Sequence, residues 1–284
     1  MSVIDCKILS GKEPAADIKE AVAWKVSCYL TKPKLAVIMV GDNPASLAYI
    51  KGKQKDCEEC GIDFKLSHFP ADVSQEEIEI EIEGLNLIPS VRGILIQLPL
   101  PEHLDKNRLI NLISPNKDVD CFCELNLGRL FINHPMYEPC TPRGILDLCN
   151  FYRIGLKGKN CVIIGKSDIV GKPLAAMLIN EGATVTVCHS QTKDLKYYTT
   201  HADVVICAVG IPQFLTNDMV KEGAIVIDVG INRDEQGKLC GDADFENLKN
   251  KVSAITPVPG GVGLMTRAAL MKNIAKSINI KHWR

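Results

Sequence analysis

The sequence lacks a prevailing sign of charge. Its 33 basic and 34 acidic residues leave a formal net charge of -1. That balance excludes the basic footprint that nucleic acid or an anionic membrane surface would attract. No apolar run approaches the roughly 20 residues that cross a bilayer, so no membrane partner is expected. The first residues, Met1-Ser2-Val3-Ile4-Asp5, show neither the basic nor the apolar region of a signal peptide, and a cytoplasmic location is the expectation. Internal repeats and low-complexity segments are also missing. Cysteine is not scarce, with twelve in 284 residues, but a disulfide framework is not the reading. The cysteines are scattered along a chain without an export signal, which favours reduced thiols. Cys161 and Cys207 sit in apolar runs and read as small core residues. Cys57 and Cys60 have zinc-like spacing, yet Cys121 and Cys123 make a poor second half with one residue between them and no histidine pair. No metal is expected.

What is present is an alternation of helix-like and strand-like segments. Hydrophobic residues make up 46% and charged residues 24%, within the ordinary globular range. Helices are predicted over 12–30, 46–60, 142–152, 170–180 and 265–280, and strands over 35–40, 62–69, 93–98, 160–164, 183–188, 202–209, 224–229 and 252–255. Residues 74–87 conflict. Glu77 to Glu83 alternates like a strand, but Ser74-Gln75-Glu76-Glu77 is a capping-box signature and Ile78, Ile82 and Leu85 make a helical stripe. A helix preserves the βα alternation and is preferred. The fold class is α/β with parallel sheets covered by helices, in two domains that break near 114–141.

Two segments carry chemistry. In Tyr49-Ile50-Lys51-Gly52-Lys53 an aromatic ring and an amine lie four residues apart on one helix face. This pairs a flat apolar plate with a titratable base, which suits a planar heterocyclic substrate. Gly165-Lys166-Ser167-Asp168-Ile169-Val170-Gly171-Lys172-Pro173 is neither a P-loop nor G-x-G-x-x-G. It does lie between a strand and a helix, where backbone N–H groups and the helix dipole favour a phosphate. The next strand ends at Cys188-His189-Ser190 without the acidic residue of an NAD site, and Lys166, His189 and Ser190 could take a 2′-phosphate instead. A plain βα turn explains the local sequence equally well. Elsewhere Gln97 could be a satisfied amide, Asp118 and Asp120 turn residues, and the run from Pro257 to Gly263 either a close approach to ligand or a hinge.

Taken together these residues resemble the bifunctional methylenetetrahydrofolate dehydrogenase/methenyltetrahydrofolate cyclohydrolase family. Six segments match in order: Gly41 to Ser46 followed by Tyr49 and Lys53, Ile94 to Pro101, Pro115 to Asp120, Pro139 to Pro142, Gly165 to Pro173, and Pro257 to Thr266. The resemblance implies oxidation of 5,10-methylenetetrahydrofolate by NADP and hydrolysis of the methenyl product to 10-formyltetrahydrofolate. It implies acid–base catalysis by Lys53, stacking on the folate by Tyr49, orientation of the lysine by Gln97, and a hydrogen bond from Asp120 to the pterin edge. Leu98, Pro259, Gly260 and Gly261 would complete the folate site. Cofactor contacts would come from Gly165, Lys166, Ser167 and Ile169 in the glycine turn, from Ser190, Gly210 and Ile231, and from Thr141 and Thr266.

The same resemblance implies a catalytic folate-binding domain of residues 1–140 with 264–284, a Rossmann-like NADP-binding domain of residues 141–263, an active site in the cleft between them, and a homodimer. A free lysine, with a pKa of about 10.4, is protonated at neutral pH. Burial and a cationic methenyl intermediate would both favour the neutral base in Lys53. Several residues depart from the family pattern. Cys121 stands where glycine is usual and would be strained at positive φ. Cys123 stands where histidine is frequent, Lys166 replaces a common arginine, Leu264 a proline, and Arg267 an apolar residue. Two other functions fit parts of the sequence: a dehydrogenase for another substrate, which needs no Tyr49/Lys53 pair, and a nucleotide-binding protein without turnover.

Overall fold

The computed structural model describes residues 5–280. They form two compact units, Ala16–Cys140 with the stretch from Arg267 onward, and Thr141–Thr266 with the stretch up to Ala15. Along the chain the elements are β1 (Lys7–Ile8), α1 (Lys12–Ser27), β2 (Lys34–Val40), α2 (Pro44–Glu59), β3 (Asp63–Phe69), α3 (Gln75–Leu87), β4 (Val91–Ile96), α4 (Lys106–Leu112), α5 (Glu124–Phe131) and α6 (Cys140–Phe151). There follow β5 (Asn160–Ile164), α7 (Gly171–Asn180), β6 (Thr184–Cys188), α8 (Leu195–Thr200), β7 (Val204–Cys207), β8 (Ile225–Asp228), β9 (Asn232–Arg233), β10 (Leu239–Cys240), α9 (Phe245–Leu248), β11 (Ala254–Ile255) and α10 (Val262–Ser277). Among the described residues no helix is long and apolar enough to cross a membrane.

In the first unit β2 lies between β3 and β4 in a parallel three-stranded sheet. Its side chains divide by the two-residue period of a strand. Leu35, Val37 and Met39 pack with Leu270, Met271 and Ile274 of α10, while Ala36, Ile38 and Val40 pack with Ile78, Ile82 and Leu85 of α3. Covering on both faces is why β2 reads as an unbroken apolar run. The ambiguous segment is a helix. Ser74 and Glu77 form the reciprocal capping box, and Ile78 and Ile82 are buried while Ile80 is 61% exposed. A strand would have put all three isoleucines on one face.

The expected interdomain break at 114–141 is ordered structure, for reasons local periodicity does not show. Lys117 is buried, and its ammonium donates to the carbonyls of Leu85, Asn86 and Ile88 at 2.7–2.9 Å, closing the C-terminus of α3. Asp118 is also buried and accepts from the backbone N–H groups of Phe122 and Cys123 and from Asn126 Nδ2. Asn126 lies on α5, inside the stretch where the two domains were expected to break.

The second unit is built on a six-stranded parallel sheet in the order β1-β11-β8-β7-β5-β6. The residues up to Ala15 belong here, whereas the sequence reading put them with 16–140. The cause is β1, which pairs with β11 through Lys7–Ala254 and Ile8–Ile255. A two-residue strand leaves no periodicity to read. At the other boundary Leu264, Met265 and Thr266 also group with this unit, and Gly144 packs so closely on Met265 that a Cβ there would lie 2.8 Å from its backbone carbon.

Candidate active site

The site begins with how α2 is aimed. Gly41, at φ +71°, ends β2 in a conformation that glycine adopts without strain. Asn43 then accepts from the N–H groups of Ala45 and Ser46, and Pro44 opens the helix. This cap satisfies donors that would otherwise be orphaned and fixes the phase of the helix. Tyr49, Gly52, Lys53 and Asp56 follow at spacings of three and four and share one face.

Lys53 is half-buried, and its Nζ donates to Gln97 Oε1 at 3.0 Å. Gln97 follows β4 directly. Its backbone N–H donates to Ile38 O, and its Nε2 donates to Leu98 O at 2.8 Å, which turns Oε1 toward the lysine. Asp120 interacts electrostatically with Lys53 and lies close enough to the Cys140 thiol to feel it, while the thiol itself donates to Val119 O at 3.5 Å. Burial pulls Lys53 below its ordinary pKa, opposed chiefly by Asp120. Burial likewise raises Asp120, opposed by Lys53 and the thiol. Desolvation thus moves both partners toward their neutral forms. Tyr49 remains 36% exposed, so one part of its ring is free to meet a ligand. Four residues predicted from the sequence therefore come together in one unit. Cys140, which sequence reasoning assigned no role, joins them. Its only advance signal was its place in Pro139-Cys140-Thr141-Pro142.

Cys121 adopts φ +60°, the left-handed conformation anticipated at this position. The thiol is buried and lies 3.2 Å from the Tyr137 carbonyl. A buried contact thus offsets part of the backbone strain, and Asp120 keeps its position next to Lys53.

The predicted cofactor residues lie in the other unit, at the carboxyl ends of its strands. The turn from Gly165 to Val170 follows β5, Ser190 follows β6, Gly210 follows β7 and Ile231 follows β8; Pro259 to Gly261, expected in the folate site, also lie in this unit and follow β11. Ligands of open parallel sheets bind at this edge. Gly165 has φ +125°, and a Cβ there would lie 2.3 Å from Ala208 O. A Cβ on Gly171 would lie 2.1 Å from Gly165 O. Both positions must be bare for the turn to close. Ser167 Oγ accepts from the N–H groups of Val170 and Gly171 and shapes the entry to α7. Lys172 is paired with Asp168 at 2.6 Å. The bare backbone, the helix start and the lysines together fit a dinucleotide phosphate. Thr141 and Thr266, 125 residues apart, join through their hydroxyls at 3.1 Å.

Two buried aspartates support this edge, and the sequence reading missed both. Asp242 accepts from the backbone N–H groups of Val209, Gly210 and Ile211 and from Asn232 Nδ2. Asp228 accepts from the N–H groups of Gly230, Asp242 and Ala243, while burial raises its pKa to about 6. A Cβ on Gly230 would collide with the Asp242 carboxylate at 2.0 Å, and one on Gly241 with Asp228 at 1.8 Å. The signal was Gly241-Asp242, an acid directly after a glycine at the end of a short strand. Among the described residues no cluster of His, Cys, Asp or Glu could hold a metal.

Two family models cover most of the chain: the catalytic domain of tetrahydrofolate dehydrogenase/cyclohydrolase matches residues 9–120, and its NAD(P)-binding domain matches residues 139–282. The chain belongs to the tetrahydrofolate dehydrogenase/cyclohydrolase family. The bifunctional protein FolD of Aliarcobacter butzleri is 51% identical over 284 residues, covering 100% of this chain and 99% of its own. The crystal structure of the bifunctional FolD enzyme of Campylobacter jejuni is 50% identical, with a TM-score of 0.94 over 96% of this chain and 98% of that one. The Trypanosoma brucei FolD, solved with NADP and an inhibitor, is 35% identical, with a TM-score of 0.92 over 96% and 97% of the two chains. A tetrahydrofolate dehydrogenase/cyclohydrolase needs a base in its catalytic domain and a phosphate-holding turn in its NAD(P)-binding domain. Lys53 and the Gly165 turn lie in the corresponding matched segments.

Proposed function

We infer that this chain oxidises 5,10-methylenetetrahydrofolate with NADP and hydrolyses the resulting 5,10-methenyltetrahydrofolate to 10-formyltetrahydrofolate. The observation that carries the reading is the Lys53–Gln97 hydrogen bond of 3.0 Å on a lysine that burial drives toward its neutral form. A neutral Nζ can accept a proton from water as that water attacks the methenyl carbon, and can return it to the departing ring nitrogen. Gln97, held by its bond to Leu98 O, keeps the amine aimed. Tyr49 provides the flat face for the ring system. Asp120 meets the polar edge of the pterin. NADP, when bound, supplies the hydride acceptor. Lys166, Ser167 and Ser190 would hold its phosphates, and the lack of a carboxylate directly after β6 supports the 2′-phosphate form over NAD. With Lys166 in place of arginine the bidentate fork is lost, so the preference should be finite.

The test is an absorbance time course with methylenetetrahydrofolate and either nucleotide. Reduced NADP should appear without lasting accumulation of the methenyl species, and NAD should react more slowly. Absence of nicotinamide reduction with both nucleotides rejects the reading. The same reading carries a homodimer in the cytoplasm, supported by family membership, and a molar mass from light scattering tests the dimer.

A further inference from the structure

The α2 face that holds Tyr49 and Lys53 also receives Arg267 from α10, an arginine that feels the carboxylates of Asp56 and Glu59 but makes no hydrogen bond through its terminal nitrogens among the described residues. Its Nε lies 3.2 Å from Asp56 Oδ2, while Asp56 is buried and also takes Lys19 at 3.0 Å. Neither terminal nitrogen of the guanidinium has a hydrogen-bond acceptor among the described residues. A guanidinium carries five N–H donors in a planar fork, so most of this one is unused although the side chain is only 25% exposed. The helix makes room for it. A Cβ on Gly52 would lie 2.0 Å from Arg267 Nη1, so the guanidinium rests on bare backbone in the middle of α2. Glycine there gives up about 1 kcal/mol of helix propensity relative to alanine. The charge of Arg267 reaches the Tyr49 phenol, where it opposes the upward effect of burial on the hydroxyl.

We propose that Arg267 anchors the carboxylate-bearing glutamyl end of the folate substrate, with Tyr49 carrying the ring system on the same helix face. This rests on the folate reading above. The ion pair with Asp56 draws the Nε side of the guanidinium onto α2 and the flank of Gly52 limits its plane, which leaves the Nη pair turned toward a bidentate carboxylate. Arg267 is thus a specificity-determining residue. It selects the acidic tail of the substrate and takes no part in the proton transfers at Lys53.

The experiment compares methylenetetrahydrofolate with methylenetetrahydropteroate, which lacks the glutamate, in the wild type, Arg267→Leu and Arg267→Lys. The wild type should prefer the glutamate-bearing substrate by at least about tenfold in kcat/KM, as expected for a charged hydrogen-bonded pair. Arg267→Leu should erase most of that preference through KM for folate, with KM for NADP unmoved. Arg267→Lys should fall between. A wild type indifferent to the glutamate overturns the proposal, as does a leucine variant that loses equally on both substrates, since that marks a packing role. Calorimetry of p-aminobenzoylglutamate against p-aminobenzoate on the wild type needs no turnover and no folded variant. Tighter binding of the glutamate form supports the anchor, and equal binding overturns it. A wild type that turns over neither substrate rejects the folate reading, and the calorimetry still judges the anchor separately.

Discussion

At the scale of single residues the proposed chemistry depends on one amine. Lys53 must be uncharged to accept a proton from water, and burial lowers its pKa. Cyclohydrolase activity should therefore rise with pH along a limb whose apparent midpoint lies below the ordinary lysine value of about 10.4. The sign follows from the neutral base being the active form. Lys53→Met should lose hydrolysis almost completely and the limb with it, while folate binding measured by fluorescence persists. Near-normal hydrolysis by that variant would remove Lys53 from the mechanism. Tyr49→Phe should retain more activity than Tyr49→Ala, because the ring matters more than the hydroxyl. Cys121 poses the opposite question, of strain without chemistry. Cys121→Gly relieves a left-handed residue but empties a buried thiol site, and the two effects should leave stability within about 1 kcal/mol of wild type. Cys121→Val, β-branched at positive φ, should cost at least about 2 kcal/mol. Urea denaturation measures both. The Tyr49/Lys53 pair was legible from its four-residue spacing. The place of Cys140 beside them was not, because a thiol donating to the carbonyl of Val119, some twenty positions earlier, has no local signature.

At the scale of elements, the start of α3 was readable and what closes its other end was not. Ser74 and Glu77 announced α3 within its own first turn. The other end of that helix is closed by Lys117, some thirty residues downstream. Lys117→Met should leave three buried carbonyls without their donor. A loss of about 2–4 kcal/mol in unfolding free energy is expected, given the cost of unsatisfied buried polar groups. A change below about 0.5 kcal/mol would show that water replaces the ammonium at no loss. Burial also holds this lysine down, to about 8, against three acceptors that favour its charge. Because the folded value lies below the unfolded one, the contribution of this group to stability should improve as pH rises from about 8 toward 10.4. Elements of four to eight residues, α4, α5, α8 and α9, escaped the sequence reading because they span too few turns to display a period.

At the scale of the whole molecule, the βα alternation made both parallel sheets legible, since strands covered on two faces appear as plain apolar runs. The aspartates that hold the ligand edge of the larger sheet left only the faint Gly241-Asp242 signal, because Asp228 and Asp242 act on backbone N–H groups contributed largely by distant loops. Those loops carry Gly210 and Ile231, so nucleotide binding should stiffen them. NADP at a hundredfold excess over its Kd should add about 2.7 kcal/mol to stability. In a thermal scan NADP should raise Tm more than NAD at equal concentration, and an equal shift would contradict the 2′-phosphate preference.

The pairing of β1 with β11 has a consequence for biosynthesis. The opening strand finds its neighbour almost 250 positions later, and the smaller sheet waits similarly for Leu270, Met271 and Ile274. A ribosome must therefore deliver nearly the entire polypeptide before either core can close. Nascent chains halted at residue 240 should be digested by protease throughout, whereas the released product resists.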